Sequence, residues 1–324
     1  MQGVIGHDWA VQRLRQAIVN GQLAQSHLFV GPPSVGKAAL ALATAQELLS
    51  REASDPQRAA HLVAQRRHPD LTWVAPEHEG DAIKVDVVRE LLHTLALAPV
   101  EGRHRVAVID DAHLMSDSGK NAILKTLEEP NPAVILILIA PSVDTVLPTI
   151  SSRCQILNLR PAPIAAVVAA LQARKIAADQ AMFIARLSRG RVGWALRAIA
   201  DEDLLTTRTE QLTDLQNMLL GNRTQRFAFA EKLAKQDAEV VQATLQEWLL
   251  LWRDVVQRFD SQADPAKIRS ADFLPLIDRL VGAVSLRGAH TALLTIGQTS
   301  KLLAQNVNPR LALDVLLLKL PHLS

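Results

Sequence analysis

The sequence predicts a parallel α/β domain followed by two helical units, and three observations carry that prediction. Short apolar runs alternate with helix-forming stretches from His27 to Leu159, the pattern of a parallel sheet covered by helices on both faces. "HLFVGPPSVGKAAL" sets glycines and a lysine at a strand-to-helix turn. After "RPAPIAA", with Pro161 and Pro163, the strand signal ends and only helical periodicity remains.

Taken in order, "HLFV" (His27 to Val30) is a short buried strand, and "KAALALATAQELLS" after it is rich in strong helix formers. "REASDPQRAAHLVAQRRHPD" is polar and carries no strand signal. "LTWV" (Leu71 to Val74) reads as the second strand, and "VDVVRELLHTLAL" has its apolar residues on one helical face. "RVAVID" (Arg105 to Asp110) is the third strand, followed by the helix "SDSGKNAILKTLEE", which Pro130 stops. "AVILILIA" (Ala133 to Ala140) and "QILNL" (Gln155 to Leu159) complete the sheet. Residues 164 to about 203 predict a small helical unit, and 205–324 a larger one. In the larger unit "EVVQATLQEWLLLWRDVVQRF" has a broad apolar face with Leu245, Trp248, Leu249, Trp252 and Val255. "NVNPRLALDVLLLKL" opens with Asn308 as N-cap and Pro309 at the first helical position. The expected division is 1–160, 161–204 and 205–324.

The bulk numbers exclude several classes. At 324 residues, 48% hydrophobic and 21% charged, the chain is long and apolar enough for about two or three globular domains. A net charge of +2 does not by itself announce nucleic acid. The single cysteine, Cys154, excludes an intrachain disulfide and a cysteine-based zinc cluster, and suits a cytoplasmic protein. The N-terminus lacks the apolar core of a signal peptide, and "AVILILIA" is too short to span a bilayer.

Gly31, Gly36 and Lys37 fit G-x-x-x-x-G-K-[ST], whose backbone N–H groups cradle phosphate, but Ala38 stands where a hydroxyl would hold Mg²⁺. The alternative is a tight glycine turn; a lysine at a helix start opposes the dipole and speaks against it. Asp110 and Asp111 end the third strand. In a nucleotide site Asp110 would hold Mg²⁺ through water, and Asp111 would orient the attacking water; otherwise they are a solvated strand end. His113 reads as a loop histidine, and Cys154 has no recognisable partner as a nucleophile. Arg153, in "SSRC", would by default pair with a local carboxylate.

"GPPSVGK", "VAVIDDAHLMSDSGKNAILKTLEEP", "LPTISSRC" and the closing "NVNPRLALDVLLLKL" resemble the bacterial clamp-loader subunits of the AAA+ family over essentially the whole chain. The resemblance implies an α/β AAA+ P-loop domain, a small helical lid and a helical collar that joins subunits around primer–template DNA. It implies tau/gamma and delta subunits and the beta sliding clamp as partners. It also implies that Arg153 acts in trans, at a neighbour's ATP site. Three departures set this chain apart from the hydrolytic members: Ala38, the pair Ala140 and Pro141 where a polar sensor is expected, and Gly193 where a lid arginine is expected. ATP is thus a candidate ligand of a degenerate site, with hydrolysis lost. Many relatives insert four cysteines for zinc before the "HPD" stretch; none is present here, so no zinc is expected, and His61 and His68 read as surface or structural residues. The competing readings are an autonomous ATPase motor of tau/gamma type and a P-loop small-molecule kinase. The sensor losses oppose the first, and the C-terminal helices the second.

Overall fold

Five strands, β1 (Ser26–Val30), β2 (Leu71–Val74), β3 (Arg105–Ile109), β4 (Val134–Ala140) and β5 (Gln155–Asn158), form one sheet in the order β2-β3-β4-β1-β5. Every pairing in it is parallel. The structure is a computed structural model that describes residues 3–78, 80–260, 268–305 and 307–323.

The helices of the first half are α1 (Asp8–Val19), α2 (Lys37–Glu52), α3 (Pro56–Ala64), α4 (Val85–Ala96), α5 (Asp117–Glu128) and α6 (Pro148–Ser151). They are followed by α7 (Ile164–Gln172), α8 (Ala178–Ser188) and α9 (Val192–Ala200). The remainder is α10 (Glu202–Leu220), α11 (Arg223–Ala234), α12 (Ala238–Arg258), α13 (Leu274–Ala283), α14 (Leu286–Ala304) and α15 (Pro309–Lys319).

All seven residues of β4 are buried. Strand alternation divides them between two cores. Ile135, Ile137 and Ile139 pack with Phe29, Val106 and Val108 against Leu14 of α1 and Leu40 and Leu48 of α2. Leu136, Leu138 and Ala140 pack with Leu28, Val30 and Ile109 against Leu91 and Leu95 of α4 and Ile123 and Leu127 of α5. Each such aliphatic side chain contributes about 1.5–3 kcal/mol on burial. A strand buried on both faces is therefore apolar throughout, which is why β4 is readable as a continuous run.

Helix α3 occupies the polar stretch before "HPD", which carries no strand signal. Its start signal is local: Asp55 accepts from the N–H groups of Gln57 and Arg58, and Pro56 is the first helical residue. Its polarity follows from its position, since only Ala59 and Val63 of its nine residues are buried. In the C-terminal part Asn308 caps α15 as expected, its side-chain oxygen accepting from Leu311 N–H at 3.2 Å.

The chain divides into two compact units, 1–196 and 197–324, the division falling inside α9. The second unit has its own core around Trp248 and Trp252 of α12, Leu212 and Leu215 of α10, Ile277 and Leu280 of α13, and Leu313 and Leu316 of α15. Among the described residues no single helix is long and apolar enough to cross a membrane.

Candidate functional site: a braced phosphate loop and an edge arginine

The loop between β1 and α2 turns on two glycines with positive φ. Gly31 has φ of 152°, and a Cβ there would lie 2.3 Å from the Leu159 carbonyl oxygen, so only glycine fits. Gly36 has φ of 115° and precedes α2 as its N-cap.

The loop's carbonyls, however, are engaged by the chain itself. Lys37, only 8% exposed, turns its Nζ back to donate to the carbonyls of Gly31 (2.7 Å) and Pro32 (3.0 Å). The N–H of Gly193, in the first turn of α9, donates to Ser34 O at 2.8 Å. An N–H in the first turn of a helix has no partner within that helix, so the bond satisfies a donor that would otherwise need one. The ring Nε2 of buried His7 lies 2.9 Å from Val35 O. Four carbonyls are thus bound from three directions: Gly31, Pro32, Ser34 and Val35. A side chain at position 193 would place Cβ 3.1 Å from Ser34 O, tight enough to push on the loop. The absence of a side chain at Gly193 lets α9 approach the loop this closely.

Ala38 packs against the α1/α2 core. Asp110 follows β3 and donates its N–H to Val74 O at 2.8 Å. Asp111 takes a left-handed conformation with φ of 52°. Burial, and then the Asp111 charge, hold the Asp110 carboxyl above its ordinary pKa, while Arg66 and Lys37 partly offset this. Burial pulls Lys37 below its ordinary pKa, against the pull of Asp111 and Asp110. The motif lysine and the two acids, far apart in sequence, therefore share one electrostatic neighbourhood. The end of β4 contributes no polar side chain: Ala140 is buried, and Pro141 offers its carbonyl to Gly31 N–H at 3.2 Å. His113 approaches Asp111 at 3.9 Å, and burial lowers its pKa.

Arg153 lies elsewhere, just beyond α6. Its Nη2 donates to Glu128 Oε1 at 2.8 Å and its Nη1 to Thr149 O at 2.9 Å. The side chain is 36% exposed. Burial pushes the neighbouring Cys154 thiol up to about 11, so it is neither a thiolate nor a nucleophile near neutral pH.

Sequence reading missed several features. Arg66 stacks over Trp73 at 3.9 Å. The "HPD" aspartate, Asp70, is buried and accepts from the N–H groups of Val100 (2.7 Å) and Glu101 (2.8 Å), which makes that stretch a loop anchor. His68 is buried beside it, while His61 bonds Gln65 on the surface. In the second unit, Arg226 donates to five carbonyls. That unit also exposes an apolar stripe on α15, with Leu311, Val315 and Leu318 at 62%, 43% and 48% exposure. Among the described residues no group of three or more His, Cys, Asp or Glu is placed to hold a metal.

Fold and site together define a parallel α/β protein with a G-x-x-x-x-G-K loop between β1 and α2 and a helical C-terminal unit. Comparison with known proteins narrows the class. The family model described as "DNA polymerase III, delta subunit" matches residues 6–163, and that described as "DNA polymerase III, delta subunit, C terminal" matches residues 202–322. The chain is 29% identical over 266 residues to "DNA polymerase III subunit delta'" of Pseudomonas aeruginosa, covering 80% of this chain and 79% of that one. It is 24% identical over 314 residues to the Bacillus subtilis protein of the same name, covering 95% and 94%. It is 31% identical over 160 residues to "DNA polymerase III subunit gamma" of Buchnera aphidicola, covering 48% and 44%. The chain belongs to the delta-prime family of DNA polymerase III clamp-loader subunits.

Proposed function

We propose that the chain is the stationary, non-hydrolysing member of its clamp loader. It assembles with tau/gamma and delta subunits in the cytoplasm, and the complex places the beta sliding clamp on primed DNA. Its own phosphate loop does no chemistry. Arg153 acts in trans, on the ATP held by a neighbouring subunit.

The observation that carries this reading is the Lys37 ammonium, donated to Gly31 and Pro32 of its own loop beside Ala38. In hydrolytic P-loops the lysine cradles the outer phosphates and Mg²⁺ neutralises charge as it develops. Here the lysine is engaged within the chain, and the residue after it cannot bind the metal. ATP at this loop would be a ligand and not a substrate. Arg153 supports the second half of the reading. Its planar fork suits phosphate better than a lysine's point charge does, and it sits on the surface, where a neighbour can reach it. The apolar stripe of α15 is consistent with subunit contact through the second unit.

Reconstitution tests the reading. The chain mixed with tau/gamma and delta should give one complex on gel filtration, and that complex should load clamps on primed DNA with ATP. Lys37→Ala in this subunit should leave loading unchanged, whereas Arg153→Ala should impair it. Loss of loading with Lys37→Ala, in a complex that still assembles, would overturn the stationary role.

A further inference from the structure

Arg153 is held at two points, and only one of them belongs to its own segment. Its Nη1 donates to Thr149 O at 2.9 Å, with Ser152 Oγ at 3.4 Å. These bonds fix one nitrogen to α6 and leave the plane of the fork free to pivot. The second point is Glu128, the last residue of α5, whose Oε1 accepts from Nη2 at 2.8 Å. Two nitrogens tied to two different helices set the direction of the planar guanidinium. These bonds use three of the five N–H donors, so the Nε–H and one Nη2–H are the part of the fork they leave over. Glu128 is 52% exposed, and an exposed pair of this kind contributes little to stability. A stabilising role therefore does not account for it.

We propose that Glu128 is a positioning residue for Arg153. It holds the guanidinium in one orientation before a neighbour's nucleotide arrives and leaves the Nε–H and one Nη2–H of the fork for the phosphate. This rests on the reading that Arg153 acts in trans. An arginine that must find its orientation during the chemical step loses rotamer freedom at that moment; one already held by Glu128 has lost it beforehand. The effect should fall on the maximal rate and leave ATP binding at the neighbour untouched.

The test is a double-mutant cycle in the reconstituted loader. Parent, Glu128→Ala, Arg153→Ala and the double variant are each assembled with tau/gamma and delta. Clamp-loading rate is measured against ATP concentration, with thermal midpoint as a folding control. Glu128→Ala should lower the maximal rate about two- to fivefold, the range an exposed pair can supply. It should not move the ATP concentration at half-maximal rate or the thermal midpoint. In the Arg153→Ala background it should have no further effect. Glu128→Gln, which keeps the acceptor oxygen at the same length, should recover most of the rate. A parent-like Glu128→Ala beside an impaired Arg153→Ala would overturn the positioning role alone. So would an equal loss in both backgrounds, or a Glu128→Gln no better than alanine. A parent-like Arg153→Ala would remove the trans arginine itself, and the role of Glu128 with it.

Discussion

Replacing Arg226 should unfasten the C-terminal unit. The guanidinium uses all five of its donors on backbone carbonyls: Nε on Met218 (2.9 Å), Nη1 on Leu317 (2.7 Å) and Leu320 (2.9 Å), Nη2 on Leu219 (3.3 Å) and Pro321 (2.8 Å). Met218 and Leu219 lie in the last turn of α10, and Leu317 in the last turn of α15. Helix ends leave such carbonyls without partners and carry partial negative charge. One buried cation, 6% exposed, therefore closes two helices and the tail after α15 at once. Arg226→Ala strands four acceptors, because Leu219 O keeps the N–H of Leu323 at 2.8 Å. A buried unsatisfied acceptor costs about 1–3 kcal/mol. A cavity of about 600 Å³ lined by Arg223, Phe227, Leu318 and His322 adjoins the site and admits water, so the lower end of that range applies. The sum is a loss of roughly 3–5 kcal/mol from this unit. Arg226→Lys keeps the charge but has three donors, and should lose about 2 kcal/mol. Arg226→Met keeps the stem without donors and should resemble alanine. Urea denaturation, followed through the transition that exposes Trp248 and Trp252, measures all three. An alanine variant within about 1 kcal/mol of the parent, or a methionine variant as stable as lysine, would refute the claim that the donors hold these ends together.

The other predictions concern chemistry and pH. Arg153→Ala should leave thermal stability and assembly nearly unchanged but lower clamp- and DNA-stimulated ATP turnover, with Arg153→Lys rescuing poorly. At the single site it serves, a trans arginine contributes about 10³ to 10⁵ in rate, so total turnover falls by a fraction and clamp loading by more; a variant that loads at the parent rate would return Arg153 to a plain ion-pair partner of Glu128. The isolated chain should hydrolyse ATP no faster than its Lys37→Ala variant, and steady-state turnover well above that control would show the loop to be active. His27, on the interior strand β1, is fully buried. Burial holds its pKa down to about 4 from an ordinary 6.5, the nearby Ala24 backbone offsetting part of the shift. The unfolded chain therefore takes up a proton there near pH 6.5 and the native chain does not, so stability falls from pH 6.5 towards 4 by about 3 kcal/mol in all. His27→Leu should remove that share of the pH dependence in urea titrations at pH 7 and pH 4.5; an unchanged slope would refute the assignment.

Local signals made most of the fold legible. The five strands of the sheet could be read from short apolar runs: β1, β3 and β4 are buried along their whole length, while the edge strands β2 and β5 are only partly buried and carry weaker runs. Gly31 and Gly36 could be read from their spacing, because a loop that turns a strand into a helix within a few residues needs backbone angles that other residues resist. Asn308 and Pro309 marked the start of α15 by the same local logic, and Asp55 and Pro56 marked α3, though a polar segment hid them. The fate of Lys37 was a different matter. Its motif announces a phosphate ligand, but whether the ammonium faces solvent or its own loop depends on how that loop is braced, and His7 and Gly193 brace it from opposite ends of the first unit. Arg153 likewise meets Glu128, 25 residues earlier, and Arg226 meets carbonyls as far as 95 residues later. The sequence by itself determined which segments become strands and helices and where the phosphate loop stands, since those follow from neighbours in the chain. Only the tertiary structure decided which acceptors that loop's lysine and the two arginines, one buried and one at the edge, would meet, because hydrogen-bond partners are chosen by distance in space, and no periodicity records it.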